Sequence, residues 1–282
     1  MGAFVPVIHR FEATVASFFV NAFLVETEHG VVAIDATLAI SSSAALRRKI
    51  DEEIRKPLLA VLVTHGHPDH YTGLVELTRG LDVPIIATQG TLDFARAEDK
   101  EKEKTAILIF GDDYPRQRIF PNTIVSDGYQ ATFDGVTFSL QDYGPGESDA
   151  DSIWILDSDG VKHVFLGDIV HNHMHCFFRD GHALAWISNL ERLTRDFDHR
   201  AILYTSHGEP AGTEIAFWHK GYIEAFLCAL KSMLGNRDRL TDPEKQALVG
   251  KMQAYLPNDK TLFLLTYELD ETVKLLRSRG IV

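Results

Sequence analysis

His65, His67, Asp69 and His70 fall within six positions, in the run Thr64-His65-Gly66-His67-Pro68-Asp69-His70. Imidazole nitrogens and carboxylate oxygens are the ligands of borderline and hard divalent metals, so this grouping points to metal chemistry. A shuffled chain of the same composition would carry HxHxDH only about twice in a thousand. A short loop can present alternate residues to one ion while its later residues face a second, so one loop can seed two sites. The remaining ligands must then come from the ends of other strands. Three places supply them: Glu147 in Gly144-Pro145-Gly146-Glu147-Ser148, Asp168 after Gly167, and His207 in Ser206-His207-Gly208.

A second cluster, His171, His173 and His175, follows Asp168 closely. Alternate spacing puts all three on one face if the segment is extended. That row would line a substrate cleft, with a third metal site and plain packing as the other readings. His9, His29, His163, His182, His199 and His219 read as structural. Asp149 and Asp151 read as solvated loop carboxylates, and Ser148 as a turn residue.

The elements that must position these residues are legible as short apolar runs. Residues 17–26 and 31–35 read as a hairpin turned at Gly30, and 58–64 as a strand buried on both faces that delivers the histidine loop. Helices are expected over 41–56 and 72–80, a strand over 83–87, and a solvated helix over 91–104. Strands follow at 131–133, 136–140, 152–156 and 161–166, with Asp134-Gly135 and Asp159-Gly160 as hairpin turns. A helix over 184–195, a last strand over 201–205 and a wholly helical remainder complete the chain. Two β-rich halves closed by helices predict an α/β fold, a four-layer αββα sandwich with additional C-terminal helices. Residues 1–212 would form the main domain and 213–282 a helical extension packed on it.

The HxHxDH run, the GPG loop, the Gly-Asp pair and the Ser-His-Gly run, in that order, resemble the metallo-β-lactamase-fold hydrolases. The resemblance implies a first metal on His65 and His67 with a ligand from the GPG loop, and a second on Asp69, His70 and His207. Asp168 would bridge the two. The departure is Glu147, where the family carries histidine. Either the first site has lost a protein ligand, or Glu147 itself coordinates and makes the site harder. The implied cofactor is a pair of divalent ions, zinc foremost, with iron or manganese admitted by the carboxylate. Asp35 corresponds to a support for the motif loop. His171 lies near the position of a substrate-touching tyrosine in related lactonases, so it is a candidate for binding substrate oxygen or protonating a leaving group.

Two such ions lower the pKa of a shared water from about 15.7 to about 7, which provides a metal-bridging hydroxide. Asp69 is a candidate acceptor of its proton. The expected activity is hydrolysis of a small ester, lactone, thioester or amide. Iron-dependent oxygen or sulfur redox chemistry and non-catalytic metal binding are the competing classes. The helices after Gly212 and the loop over 112–116 are expected to roof the cleft, with Phe110, Tyr114, Phe177, Phe178, Trp186, Phe217, Trp218, Tyr222 and Phe226 as candidate aromatic walls.

Composition sets the outer limits. A chain of 282 residues with 28 Lys+Arg against 40 Asp+Glu carries a net charge of −12 and has no basic run. That favours a small-molecule substrate over nucleic acid. Bound to Asp69, Asp168 and Glu147, two divalent ions would bring the charge to about −8. Two cysteines outside any CxxC pair suit a reduced, cytoplasmic chain. Met1–Phe23 is interrupted by His9, Arg10 and Glu12, so neither a signal peptide nor a membrane span is expected. A homodimer is compatible with this composition.

Overall fold

The computed structural model describes residues 4–282, so the first three residues of the Met1–Phe23 stretch lie outside it. Eleven strands among the described residues form two mixed sheets. The first contains β1 (Val7–Glu12), β2 (Asn21–Glu26), β3 (Val31–Ile34), β4 (Leu58–Leu62), β5 (Ile85–Thr88) and β6 (Thr123–Val125), in that spatial order. Its first three strands run antiparallel, and β3 to β6 pair in parallel. The second contains β7 (Gln130–Phe133), β8 (Val136–Gly144), β9 (Asp151–Ser158), β10 (Val161–Phe165) and β11 (Ile202–Tyr204), with β11 parallel to β10 at one edge. Asp134, Gly135, Asp159 and Gly160 all have positive φ, the conformation that two-residue hairpin turns require.

Alternation along the strands builds the layers. On β2, Phe23 and Val25 face the second sheet and meet Phe138, Trp154 and Phe165 in the central core, while Ala22 and Leu24 face the other way. That outer face is covered by α1 (Ile40–Arg48), α2 (Pro68–Tyr71) and α3 (Leu74–Leu77) through Leu46, Tyr71, Leu74 and Leu77. α4 (Gln89–Phe110) follows β5. The outer face of the second sheet is covered by α5 (Ala183–Asp196) and α6 (Ile215–Leu234). α7 (Asp242–Tyr255) and α8 (Leu269–Ser278) join the same apolar cluster through Leu248, Met252, Val273 and Leu276. The expected helix–sheet–sheet–helix order is therefore present. No helix among the described residues is long and apolar enough to cross a membrane.

Some expected boundaries shift. The first hairpin begins at Asn21, because Val15–Ser17 forms a 3₁₀ turn and Phe18 and Phe19 have positive φ. Of the helix expected over 72–80 only Leu74–Leu77 is helical, and a separate short helix, Pro68–Tyr71, precedes it across Thr72-Gly73. Helix α4 is longer than expected and is not merely solvated, since Leu92, Phe94, Ala95 and Ala106 are buried.

Candidate metal centre

The β4 strand ends at Leu62, and the chain then turns into the HxHxDH loop. Thr64 is the pivot. Its carbonyl accepts from Ser152 N at 3.0 Å and from Ser152 Oγ at 2.6 Å, which ties the loop to β9 of the opposite sheet. Gly167, just past β10, has φ +56, and a Cβ there would lie 2.5 Å from Thr64 Oγ1. Only glycine lets the Gly-Asp turn approach the histidine loop so closely. Ser206 N donates to Gly167 O at 3.1 Å, which brings the end of β11 alongside. Three strand ends and one loop therefore converge at one edge of the sandwich.

Two groups of buried side chains gather there, His65, His67, Glu147 and Asp168 in one and Asp69, His70, Asp168 and His207 in the other. Within each, the potential ligand atoms all lie within 4.8 Å of one another. In the first group His65 Nε2 is 3.2 Å from His67 Nδ1, and Glu147 Oε2 is 2.8 Å from His67 Nδ1 and 3.5 Å from His65 Nε2. In the second, His70 Nε2 is 3.4 Å from Asp168 Oδ1 and 3.8 Å from Asp69 Oδ1. His207 Nε2 lies 3.4 Å from both Asp69 Oδ2 and Asp168 Oδ2. Ligands about 2.1 Å from a tetrahedral ion would stand about 3.4 Å apart, so this spacing fits a metal.

The hydrogen bonds select tautomers that agree with this fit. His65 Nδ1 faces Thr64 Oγ1 at 3.1 Å, His67 Nε2 faces Asp180 Oδ2 at 2.9 Å, and His70 Nδ1 faces Asp35 Oδ2 at 2.8 Å. A proton on each of these nitrogens leaves a lone pair on the other, the one directed into its group. Meanwhile His70 Nε2, Glu147 Oε2 and Asp168 Oδ1 are buried without a hydrogen-bond partner. Buried polar atoms are normally satisfied, and a cation satisfies lone pairs that face one another. Asp35 also accepts from Thr64 N at 2.9 Å and Thr64 Oγ1 at 2.8 Å, the supporting arrangement expected for it.

The charges are strongly coupled. Burial disfavours the imidazolium of His67, but Glu147 and Asp180 outweigh it and hold the ring up to about 10. His207 is likewise opposed by burial and held up to about 10 by Asp168 and Asp69. Burial raises Glu147 to about 7 against the pull of His67. For Asp168, burial is overcome by His207, His70 and His171, which hold the carboxyl well below its usual range.

The Glu147 loop is held by Asp151. Its Oδ2 accepts from Glu147 N at 2.7 Å, and its Oδ1 accepts from Ser148 Oγ at 2.6 Å. Asp151 and Ser148 are thus a buried brace, not the solvated carboxylate and simple turn residue expected. Asp149 pairs with His182 at 2.5 Å.

The row expected from His171, His173 and His175 does not form. His173 adopts φ +54, so the segment is not extended, and of the three only His171 lines the cavity described below. His171 is buried, with Nε2 3.5 Å from Asp168 Oδ2 and its ring stacked on His207 at 4.9 Å. His173 packs on Trp218 at 4.2 Å. His175 is bonded to Tyr222 OH and to the Asn258 carbonyl, each at 2.7 Å. His219 supports His171 by accepting from its backbone N–H at 3.3 Å.

A cavity of about 120 Å³ opens onto both groups, with His67, Asp69, Glu147, Asp168, His171 and His207 in its lining. Its apolar wall comes from Phe18, Ile109, Phe110, Phe177, Phe263 and Tyr267. Phe110 and Phe177 were expected, whereas Phe18, Phe263 and Tyr267 were missed. Tyr114 is buried with Leu38, Ala39 and Ala106, so its loop does not roof the cavity as expected. Phe178, Trp186, Tyr222 and Phe226 are core residues, and Phe217 is exposed. The roof comes from α4 and, within the chain after Gly212 expected to supply it, from the segment between α7 and α8.

Sequence comparison matches residues 16–207 to the Metallo-beta-lactamase superfamily. Among solved structures, the chain resembles a metallo-beta-lactamase family protein from Thermus thermophilus, with TM-score 0.69, 20% identity and coverage of 97% of this chain and 94% of that one. A beta-lactamase domain protein from Burkholderia ambifaria aligns with TM-score 0.66 and 19% identity over 93% of this chain and 82% of that one. A Ribonuclease J from Sinorhizobium meliloti is 43% identical over 61 residues, which are 21% of this chain and 11% of that protein.

Proposed function

The chain belongs to the metallo-beta-lactamase superfamily, and on that premise we propose that it is a dinuclear metal-dependent hydrolase of a small ester, lactone, thioester or amide. The observation that carries this reading is the position of Asp168. Its carboxylate belongs to both ligand groups, so it can bridge two ions and fix their separation. We assign His65, His67, Glu147 and Asp168 to one ion and Asp69, His70, Asp168 and His207 to the other. Zinc is the leading candidate, and the Glu147 carboxylate widens the choice to iron or manganese.

When bound, the ion pair supplies Lewis acidity and a hydroxide nucleophile at neutral pH. The chain's own residues do the rest. Asp35, Thr64 and Asp180 keep three histidines in the tautomers that offer a lone pair to the site. Asp69 lines the cavity and is placed to accept a proton from the attacking water. His171 lines the same cavity with neither ring nitrogen hydrogen-bonded, so it can touch the substrate oxygen or protonate the leaving group. His173 and His175 have no part in this scheme. The two free cysteines, Cys176 and Cys228, suit the reducing cytoplasm.

The ribonuclease likeness extends over 61 residues only. A cavity of about 120 Å³ with Glu98, Glu101 and Glu268 in its lining disfavours a polyanion and suits a small molecule. The test is a screen of esters, lactones, thioesters, amides and a single-stranded RNA, before and after chelation. Chelator-sensitive turnover of a small acyl compound supports the proposal. Stoichiometric iron with oxygen uptake and no acyl turnover, or RNA cleavage alone, overturns it.

A further inference from the structure

The chain between Ile169 and Ala183 is irregular, and it carries Asp180, the carboxylate that faces His67. Without a ladder of backbone bonds, such a stretch is fixed only by tertiary contacts. Four contacts with the C-terminal segment do this. Asn258 Nδ2 donates to the His173 carbonyl and Thr261 Oγ1 to the His175 carbonyl, each at 2.8 Å. Arg179 Nε donates to Glu268 Oε2 at 2.9 Å, and Arg279 Nη1 donates to the Asp180 carbonyl at 2.6 Å. The last two residues bracket α8, since Glu268 precedes it and Arg279 follows it. Glu268, Leu275 and Arg279 recur at helical spacing and so share one face of α8. Between the two polar contacts, Leu275 lies against Gly181, where φ is +72 and a Cβ would stand 2.9 Å from Leu275 Cβ. Only glycine allows that approach.

We propose that α8 positions the first ligand group: it clamps Arg179, Asp180 and Gly181 at three consecutive points and so keeps the Asp180 carboxylate on His67. Arg279 is then a positioning residue, which acts on the metal only through Asp180. His67 directs Nδ1 to the ion while Asp180 accepts from Nε2, and a ligand set tolerates displacements of only about 0.5 Å. The second group is supported differently, since His70 is held by Asp35 just past β3. The effect of Arg279 should therefore fall on one ion. Leu269, Val273 and Leu276 are buried in the apolar cluster, so α8 stays docked when the Arg279 bond is lost. The proposal rests on the two-metal reading of the site and not on hydrolysis.

The test measures the affinity of each ion by chelator competition with cobalt(II), using His67→Ala to identify the ion of the first group. Arg279→Met should weaken the first ion by about three- to tenfold, less than removal of Asp180 itself, and leave the second within about twofold. Arg279→Lys, which keeps a charged donor, should hold the first ion within about twofold of the parent. In an Asp180→Ala background, Arg279→Met should add less than about twofold, because its effect passes through the missing carboxylate. Unchanged affinity in Arg279→Met, equal weakening of both ions, or the full loss repeated without Asp180 overturns the proposal. No turnover is read, so a protein that binds two ions and hydrolyses nothing contradicts the hydrolase reading and leaves this result standing.

Discussion

Asp180 Oδ2 lies 2.9 Å from His67 Nε2, and both side chains are buried. The contact fixes the imidazole by the nitrogen that faces away from Glu147 and turns the other nitrogen into the first ligand group. The histidine holds Asp180 down to about 2 despite its burial, so the carboxylate is ionised at neutral pH.

Asp180→Ala should therefore weaken the first ion by about 10–100-fold, the usual effect of losing a carboxylate behind a metal-binding histidine. Chelator competition monitored by metal analysis measures this. The ion held by Asp69, His70 and His207 should be retained. Equal loss of both ions would mean that Asp180 acts on the fold and not on one site.

Glu147→His should preserve two ions per chain and shift metal preference toward zinc, because imidazole is a softer donor than carboxylate. Growth in mixed metals followed by elemental analysis reads the outcome. Unchanged content and unchanged preference would show that Glu147 does not coordinate.

Asp35→Ala should destabilise the protein by about 3 kcal/mol, since it leaves buried His70 and Thr64 without their shared acceptor. Chemical denaturation measures the loss. A change below about 0.5 kcal/mol would contradict the bracing role.

Metal loading should release protons at pH 7. With no ion bound, His67 and His207 are held up to about 10, so both are protonated at that pH and must lose a proton to ligate. Affinity should thus rise with pH through the neutral range and level off above about 10. Calorimetry in buffers of different ionisation enthalpy gives the proton count, and a count of zero would refute the assignment of these two rings.

The legible part of this protein was local in sequence. The HxHxDH loop stands out because its residues are adjacent, and the ends of β8, β10 and β11 could be searched because apolar runs mark them. Asp180 gave no such signal, because it sits in an irregular loop and becomes informative only when tertiary packing buries it against His67. The His171 row misled because alternate spacing implies a common face only in an extended chain, and positive φ at His173 breaks that condition. Asp151 misled for the related reason that a carboxylate bracing a turn and one facing solvent look alike in sequence.

The most direct measurement is hydrolysis of a small acyl substrate by metal-stripped protein as divalent ion is added back in known equivalents. Activity should rise to a plateau at two ions per chain and stay absent in Asp168→Ala, which lacks the carboxylate common to both groups. Full activity at one ion, or in Asp168→Ala, would contradict the dinuclear site.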